Sequence, residues 1–516
     1  MQQSQSKQQV GGILGFIERI GNKIPDITIL FISAFLLVCV VSAVLAQIHF
    51  NYVHPATGRP IEITNMLSGK ALVDLMSKMV TNYANFPPLS MVIVATLGIG
   101  IADGSGYINT GLKKILSITP KVLITPVVIL VGMLSHLGPD SGYVIIIPIA
   151  AYMFYAVGKH PLAGIAASFA GIAGAFAANY TPSAIDPVIQ GFTQSAAQII
   201  DPGYQVNVLC NYFYAFASTF IVIGACWWVT EKITNPWLWK ACPLDDDLDL
   251  GNENNSSITP SENRAFKIAT AVLLLMLIGL AAALYPADSI LRAPDGVIAS
   301  FKAPIMQSIV SLIFIFAALV GLVYGIACGK FKSPKDVTAA MEEITKTLVQ
   351  LIVFYFFAAQ FLYAFGASNM GALIAVSGAE FLKSLNLPPQ VTVFGIIVFV
   401  ALLNLIITSA SAKWAILAPI FVPMLMAVGI APELTQVAFR VSDSAVNVVT
   451  PMFAFYPLII LYCQKYVKNA GIGTLSSMML PYTIALLVSL TFMLYLFWWL
   501  DIPLGFQADY VYPRRF

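Results

Sequence analysis

Apolar residues in this chain run in long unbroken blocks separated by short polar gaps, a pattern unlike the alternation of a strand or the one-sided stripe of a surface helix. Blocks of about 17–25 residues are long enough to cross a bilayer as helices. Such spans are predicted near 27–48, 86–103, 161–180, 207–230, 266–285, 306–328, 347–365, 433–460 and 475–500. Two further segments, 122–157 and 391–428, are too long for one span and are interrupted midway. The interruptions read Ser135-His136-Leu137-Gly138-Pro139-Asp140-Ser141-Gly142 and Thr408-Ser409-Ala410-Ser411-Ala412-Lys413. Each arm is short for a crossing, so both segments are predicted to be re-entrant hairpins. Irregular backbone at that depth is tolerated only where protein or a water-filled cavity covers it.

Two of the nine spans are themselves broken. The first break is Ala178-Asn179-Tyr180-Thr181-Pro182-Ser183-Ala184-Ile185-Asp186-Pro187, and the second runs from Arg440 through Asp443 and Asn447 to Thr450-Pro451. A broken helix in each half, carrying a carboxylate and an amide at membrane depth, is the pattern of a transporter site between two repeats. The order helix, hairpin, broken helix, helix divides the chain into four parts. Residues 1–85 hold an N-terminal helix and an outer loop (49–85), and 86–230 form a first repeat with hairpin 122–157 and broken helix 161–200. Residues 231–305 hold an acidic cytoplasmic linker, a connecting helix and an outer loop. A second repeat, 306–516, has hairpin 391–428 and broken helix 433–460. The halves share no detectable residue identity, so the repeat rests on hydropathy and breaks alone.

Composition agrees with a polytopic membrane protein. Of 516 residues, 58% are hydrophobic and 10% charged, where a soluble chain would have about a quarter charged. With the N-terminus inside and both hairpins non-crossing, 17 of the 27 Lys and Arg residues fall on the cytoplasmic side, eight outside and two (Lys413, Arg440) within the membrane. That is the expected bias, and only Arg514 and Arg515 at the outer C-terminus oppose it. The hairpins then open from opposite sides, as an inverted repeat requires. Ala43-Val44-Leu45-Ala46 resembles a cleavage site, but the apolar run before it is too long for a signal peptide. The net charge of +2 says nothing about partners, and no nucleic acid is expected. The six cysteines and four histidines show neither metal nor disulfide spacing, and no hydrolase or phosphate-loop motif is present. A membrane-embedded hydrolase would have to use Ser135 and His136, whose adjacency in sequence does not place them in productive geometry. No enzyme activity and no cofactor are expected.

The candidate chemistry sits at the breaks. A carboxylate in mid-membrane costs about 2.5–3.5 kcal/mol even on lenient scales, so Asp186 and Asp443 need a partner or a function. Asp443 has Arg440 one turn away as an ion-pair partner. Asp186, before Pro187, fits a helix cap as well as a ligand. Asn179, Asn404 and Asn447 are either amides that pack helices together or, with Asp443, oxygen donors suited to a hard cation such as sodium. The hairpin tips offer hydroxyls and N–H groups to a carboxylate, though a polar turn needs the same residues. Trp414 fits both stacking on an aromatic ring and interfacial anchoring. Lys413 fits an anion contact or a snorkelling side chain, and Gln360 an interhelical hydrogen bond.

Several strings resemble the p-aminobenzoyl-glutamate transporter (AbgT) family: Gly158-Lys159-His160-Pro161-Leu162-Ala163-Gly164, SASAKWAILAPIFVPM from Ser409 to Met424, Phe439-Arg440-Val441-Ser442-Asp443-Ser444, Gly473-Thr474-Leu475 with Leu480-Pro481-Tyr482, and Glu18 to Pro25. Asp186-Pro187 and Ala197-Gln198-Ile199-Ile200 resemble its gonococcal-type antimetabolite efflux branch more than its uptake branch. The resemblance implies an all-α fold of nine transmembrane helices and two opposed re-entrant hairpins, an elevator-type transporter working as a homodimer in the lipid of the bacterial inner membrane. It implies an aromatic amide or carboxylate cargo: p-aminobenzoyl-glutamate, p-aminobenzoate or, for efflux, sulfonamides. Carried over by motif, the substrate path includes Asp186, Ser411, Trp414, Arg440 and Pro451, with Asn179 and Asp443 beside them, and a sodium site falls on Asn404, Asp443 and Asn447. The coupling ion is sodium or a proton. Lys413 departs from the neutral residue expected at that position.

Overall fold

A computed structural model describes residues 26–53, 58–137, 141–183, 185–245 and 258–513. The Glu18–Pro25 string, the tip residues Gly138, Pro139 and Asp140, the linker's Asp246, Asp247, Asp249 and Glu253, and Arg514 and Arg515 lie outside the described residues. Within them the chain is helical, with only the isolated bridges Val53–Pro60 and Ile430–Val511 pairing as β structure.

Among the described residues, seven helices are long and apolar enough to cross a membrane, or up to nine if each of two sharply bent pairs counts as one span. The seven cover predicted spans: Ile27–Leu45, Gly69–Ser105, Tyr212–Ala241, Pro260–Leu284, Ile309–Cys328, Val349–Ala367 and Ile472–Trp499. The bent pairs join Tyr107–Ser117 to Lys121–Leu134 at 120° and Met370–Ser384 to Pro389–Asn404 at 117°. Both corners hold a proline (Pro120, Pro388), which pushes the residue before it out of helical geometry.

One expectation is corrected. The outer loop 49–85 contains a helix, Gly69–Ala84, that leads into the span Pro87–Ser105. Lys70, Asp74 and Lys78 give the segment the polarity of a loop, yet it packs on the helix Val349–Ala367 through a mixed face. On that face Tyr363 donates to Asp74 and Tyr83 donates to Ile352 O at 2.9 Å, while Val73, Met76 and Val80 are exposed. Gln360 on that partner bonds across the contact as expected, accepting from Asn82 Nδ2 at 3.2 Å and donating to Met79 O at 3.0 Å.

The arms of the predicted hairpins are Ile124–Leu134 with Ser141–Ala156, and Pro389–Asn404 with Ala410–Met426. The two broken helices are Pro161–Ala173 followed by Ile185–Ala197, and Pro432–Val446 followed by Tyr456–Gln464. Every residue of Pro161–Ala173 and of Pro432–Val446 is buried, so these helices meet protein on all sides. The first lies against both arms of the first hairpin, the second against both arms of the second. Close approach in the first case depends on glycine: a Cβ on Gly164 would lie 2.5 Å from Ala150 O, and one on Gly171 2.5 Å from Ile129 O. Small residues at such contacts substitute for the hydrophobic drive that lipid removes.

Candidate functional site

The two breaks and the two hairpin tips converge on one cavity of about 400 Å³. Ser135 and His136 reach it from the first tip, and Ser409 and Ser411 from the second. Arg440, Asp443 and Asn447 line it from the second broken helix, Phe176 and Ser183 from the first. The rest of the lining is mainly apolar, built from Val92 and Ile99 of Pro87–Ser105 and from Leu348, Leu351 and Tyr355 at Val349–Ala367, with Thr96 and Thr347 among them. The charged groups thus sit on the hairpins and broken helices, and the other side contributes only the hydroxyls of Thr96, Thr347 and Tyr355.

Arg440 ties the two broken helices together. Its Nη1 lies 2.7 Å from Asp186 Oδ1, and its Nη2 donates to the free carbonyl of Phe176 at 3.1 Å. Asp186 uses its other oxygen as the acidic arm of a capping box, accepting from Ser183 N–H at 2.7 Å and Ser183 Oγ at 3.0 Å. The cap and the charge contact therefore coexist, one on each oxygen. The expected pairing of Arg440 with Asp443 along one helix does not occur, because each finds a partner on another element.

Asp443 pairs instead with Lys413, whose Nζ lies 2.6 Å from Oδ1, close enough for an ion pair though not aligned as a hydrogen bond. The same Nζ donates to Asn404 Oδ1. Asn404 Nδ2 in turn donates to Asp443 O at 2.8 Å and Asn447 Oδ1 at 3.1 Å. The three residues expected to hold sodium are brought together, and Lys413 is among them. Of the two roles expected for Lys413, snorkelling does not occur, since the residue is fully buried, and the anion its ammonium meets is the carboxylate of Asp443.

Trp414 is fully buried and does not line the cavity. Its ring stacks on Phe439 at 4.4 Å and 26°, and its Nε1–H donates to Thr193 Oγ1 at 2.9 Å. Thr193 passes the bond to Gln436 Oε1 at 2.6 Å, and Gln436 Nε2 donates to Asn211 Oδ1 at 2.7 Å. This chain of side chains joins the second hairpin to both broken helices. Asn179 does not line the main cavity but lines a narrow pocket with Asp186 and Arg440; its Oδ1 lies 2.6 Å from Nδ1 of His136, which does line the main cavity. Pro451 is partly buried in the second break and also does not line the main cavity.

Sequence reasoning missed the aromatic lining. Tyr143 stacks on Phe455 at 4.2 Å and 6°, with Phe453 beside them, and all three line the cavity. His136, weighed only as a hydrolase base, stacks on Phe176 at 5.0 Å and 10°. The available signal was position: Phe453 and Phe455 lie inside a break, where an aromatic side chain has no helix face to fill, and Tyr143 sits in the first turn of the helix that follows a tip.

A family model described as the AbgT putative transporter family matches residues 12–512. The chain is 32% identical over 511 residues to the p-aminobenzoyl-glutamate transport protein of Escherichia coli, covering 99% of this chain and 98% of the relative. The structure resembles the MtrF protein of Neisseria gonorrhoeae, described as illuminating a class of antimetabolite efflux pumps, with TM-score 0.90, 39% identity and coverage of 96% of this chain and 100% of that one. It also resembles the YdaH transporter of Alcanivorax borkumensis, with TM-score 0.87, 37% identity and coverage of 93% and 100%.

Proposed function

The chain belongs to the AbgT putative transporter family, and from that premise we propose that its cargo is p-aminobenzoyl-glutamate or a related aromatic amide bearing carboxylates. The chain is a multi-pass membrane transporter and not an enzyme. The observation that carries the cargo proposal is the lining of the cavity: Tyr143, Phe453 and Phe455 offer ring faces, while Arg440 and the hydroxyls of Ser409 and Ser411 offer donors to an anion. A volume of about 400 Å³ falls within the common range for small-ligand sites. The name of the Escherichia coli relative supports the same cargo.

Transport by an elevator-like motion follows from the two walls of the cavity. The second hairpin and both broken helices are joined through Trp414, Thr193 and Gln436, and His136 holds the first hairpin to them through Asn179 and Ile172 O. Together they carry the charged groups as one body past the mainly apolar face of Pro87–Ser105 and Val349–Ala367. Such a face can slide without breaking hydrogen bonds. A gradient-driven homodimer in the bacterial inner membrane completes the proposal.

Efflux of sulfonamide-type antimetabolites is the second reading, supported by the likeness to MtrF. Proteoliposomes of known orientation test both. Labelled p-aminobenzoyl-glutamate should accumulate under an imposed ion gradient and should be lost in Arg440→Ala vesicles. Cells with and without the protein then decide direction: efflux lowers intracellular p-aminobenzoate and raises sulfonamide tolerance. Wild-type flux in Arg440→Ala vesicles would remove Arg440 from the cargo path.

A further inference from the structure

We propose that Lys413 supplies the cation of the Asn404–Asp443–Asn447 cluster from within the chain, so that this site takes no sodium in the wild-type protein and transport does not require it. The donor set alone would suit sodium, a hard cation that seeks several oxygens. In the structure four of those oxygens already face a nitrogen. Asn404 Oδ1 accepts from Lys413 Nζ, and Asp443 Oδ1 lies 2.6 Å from the same nitrogen. Asp443 O and Asn447 Oδ1 each accept from Asn404 Nδ2, at 2.8 and 3.1 Å.

Charge leads to the same conclusion. Asp443 is matched by Lys413, and the neighbouring carboxylate, Asp186, is matched by Arg440 at 2.7 Å. No negative charge among these groups remains for an added ion. Sodium entering the cluster would stand within contact distance of an ammonium in a buried site, where repulsion between like charges is far stronger than in water. Lys413 is also held in place: it is fully buried, and its ammonium lies 5.7 Å from the centre of the Phe439 ring. A buried lysine is retained only where a partner offsets its desolvation, and Asp443 is that partner. The ammonium thus stands where the free cation would stand, tethered by its own side chain.

The inference rests on the reading of this chain as a gradient-driven transporter, and the test separates the two. Purified protein in nanodiscs is melted in sodium chloride and in choline chloride at equal ionic strength. Wild type should melt at the same temperature in both. Lys413→Ala, which frees the oxygens and the charge of Asp443, should gain a saturable sodium-dependent rise in Tm that Lys413→Ala/Asp443→Asn lacks. A sodium-dependent rise in the wild type that Asp443→Asn abolishes would overturn the inference, as would a folded Lys413→Ala protein indifferent to sodium. If Lys413→Ala does not fold, binding of radioactive sodium to the wild type decides: saturable binding lost in Asp443→Asn rejects the inference, and its absence upholds it. Flux of p-aminobenzoyl-glutamate into wild-type vesicles should be unchanged when choline replaces sodium, and a clear loss counts against the inference. Absence of flux in either salt would defeat the cargo proposal and leave the melting result standing.

Discussion

Asp186 and Arg440 belong to different halves of the chain, 254 positions apart by their numbering, yet they close on each other at 2.7 Å where Arg440 lines the cavity. Each broken helix thereby carries the other's countercharge. Asp186 also terminates its own half-helix through Ser183, and substitutions separate the two duties. Asp186→Asn keeps an acceptor for Ser183 but strands Arg440, a loss of the kind that costs about 3–5 kcal/mol for a buried pair. Asp186→Ala should cost about 1 kcal/mol more, the usual value of an N-terminal capping contact. The double variant Asp186→Asn/Arg440→Gln, with no stranded charge, should be more stable than either single variant. Melting temperatures of the purified proteins check the order.

Burial of Trp414 leads to a second expectation. A tryptophan stacking on cargo would affect binding and leave the free protein's stability unchanged. Trp414 instead stacks on Phe439 and donates to Thr193. Trp414→Ala should therefore destabilise the protein without ligand by about 3–5 kcal/mol. Trp414→Phe keeps most of the stacking and should lose about 1 kcal/mol, the value of one hydrogen bond. Unfolding curves without cargo provide the measurement, and unchanged stability in Trp414→Ala would return this residue to the cargo path.

The long apolar blocks made the spans legible in the sequence, because a lipid-facing helix is apolar over its whole length. Gly69–Ala84 was not legible for the opposite reason: it faces protein on one side only, and Lys70, Asp74 and Lys78 outweigh its apolar residues. At the site, buried charges announced themselves, since Asp186, Lys413, Arg440 and Asp443 all lie in apolar surroundings. Their pairing did not. Local spacing favoured Arg440 with Asp443, one turn apart, whereas both observed pairs cross between elements. Sequence distance carries no information about such contacts, and only packing of the hairpin against the broken helices determines them. Trp414 shows the same limit: proximity to a tip suggested the cavity, and the helix turn directs it toward Thr193 instead.

The aromatic lining gives a third expectation. Tyr143 and Phe455 stack at 4.2 Å beside Phe453, leaving ring surface for an aminobenzoyl group. Phe455→Leu preserves bulk and removes the ring, so affinity for p-aminobenzoyl-glutamate should fall by about 0.5–1.5 kcal/mol, roughly two- to tenfold in Kd. Free glutamate as competitor should be unaffected, since it presents no ring. Titration calorimetry on wild type and variant distinguishes these outcomes, and equal loss for both ligands would point to a collapsed cavity.

Movement past the apolar wall gives the last expectation. Phe86, at the start of Pro87–Ser105, meets Phe192 of the half-helix Ile185–Ala197 with ring centroids 5.7 Å apart. The first residue belongs to the static wall and the second to the body that carries the polar groups. If that body slides during each cycle, this contact must break. Cysteines placed at both positions, Phe86→Cys/Phe192→Cys, should be joined by a short bifunctional thiol reagent in one state and stop transport. Each single cysteine, treated alike, controls for labelling, including that of the six native cysteines. A cleavable reagent restores flux on reduction if the block is mechanical. Undiminished flux with the two positions fully cross-linked would mean that this contact persists through the cycle, and the elevator-like motion would have to be abandoned in favour of movements confined to the hairpin tips.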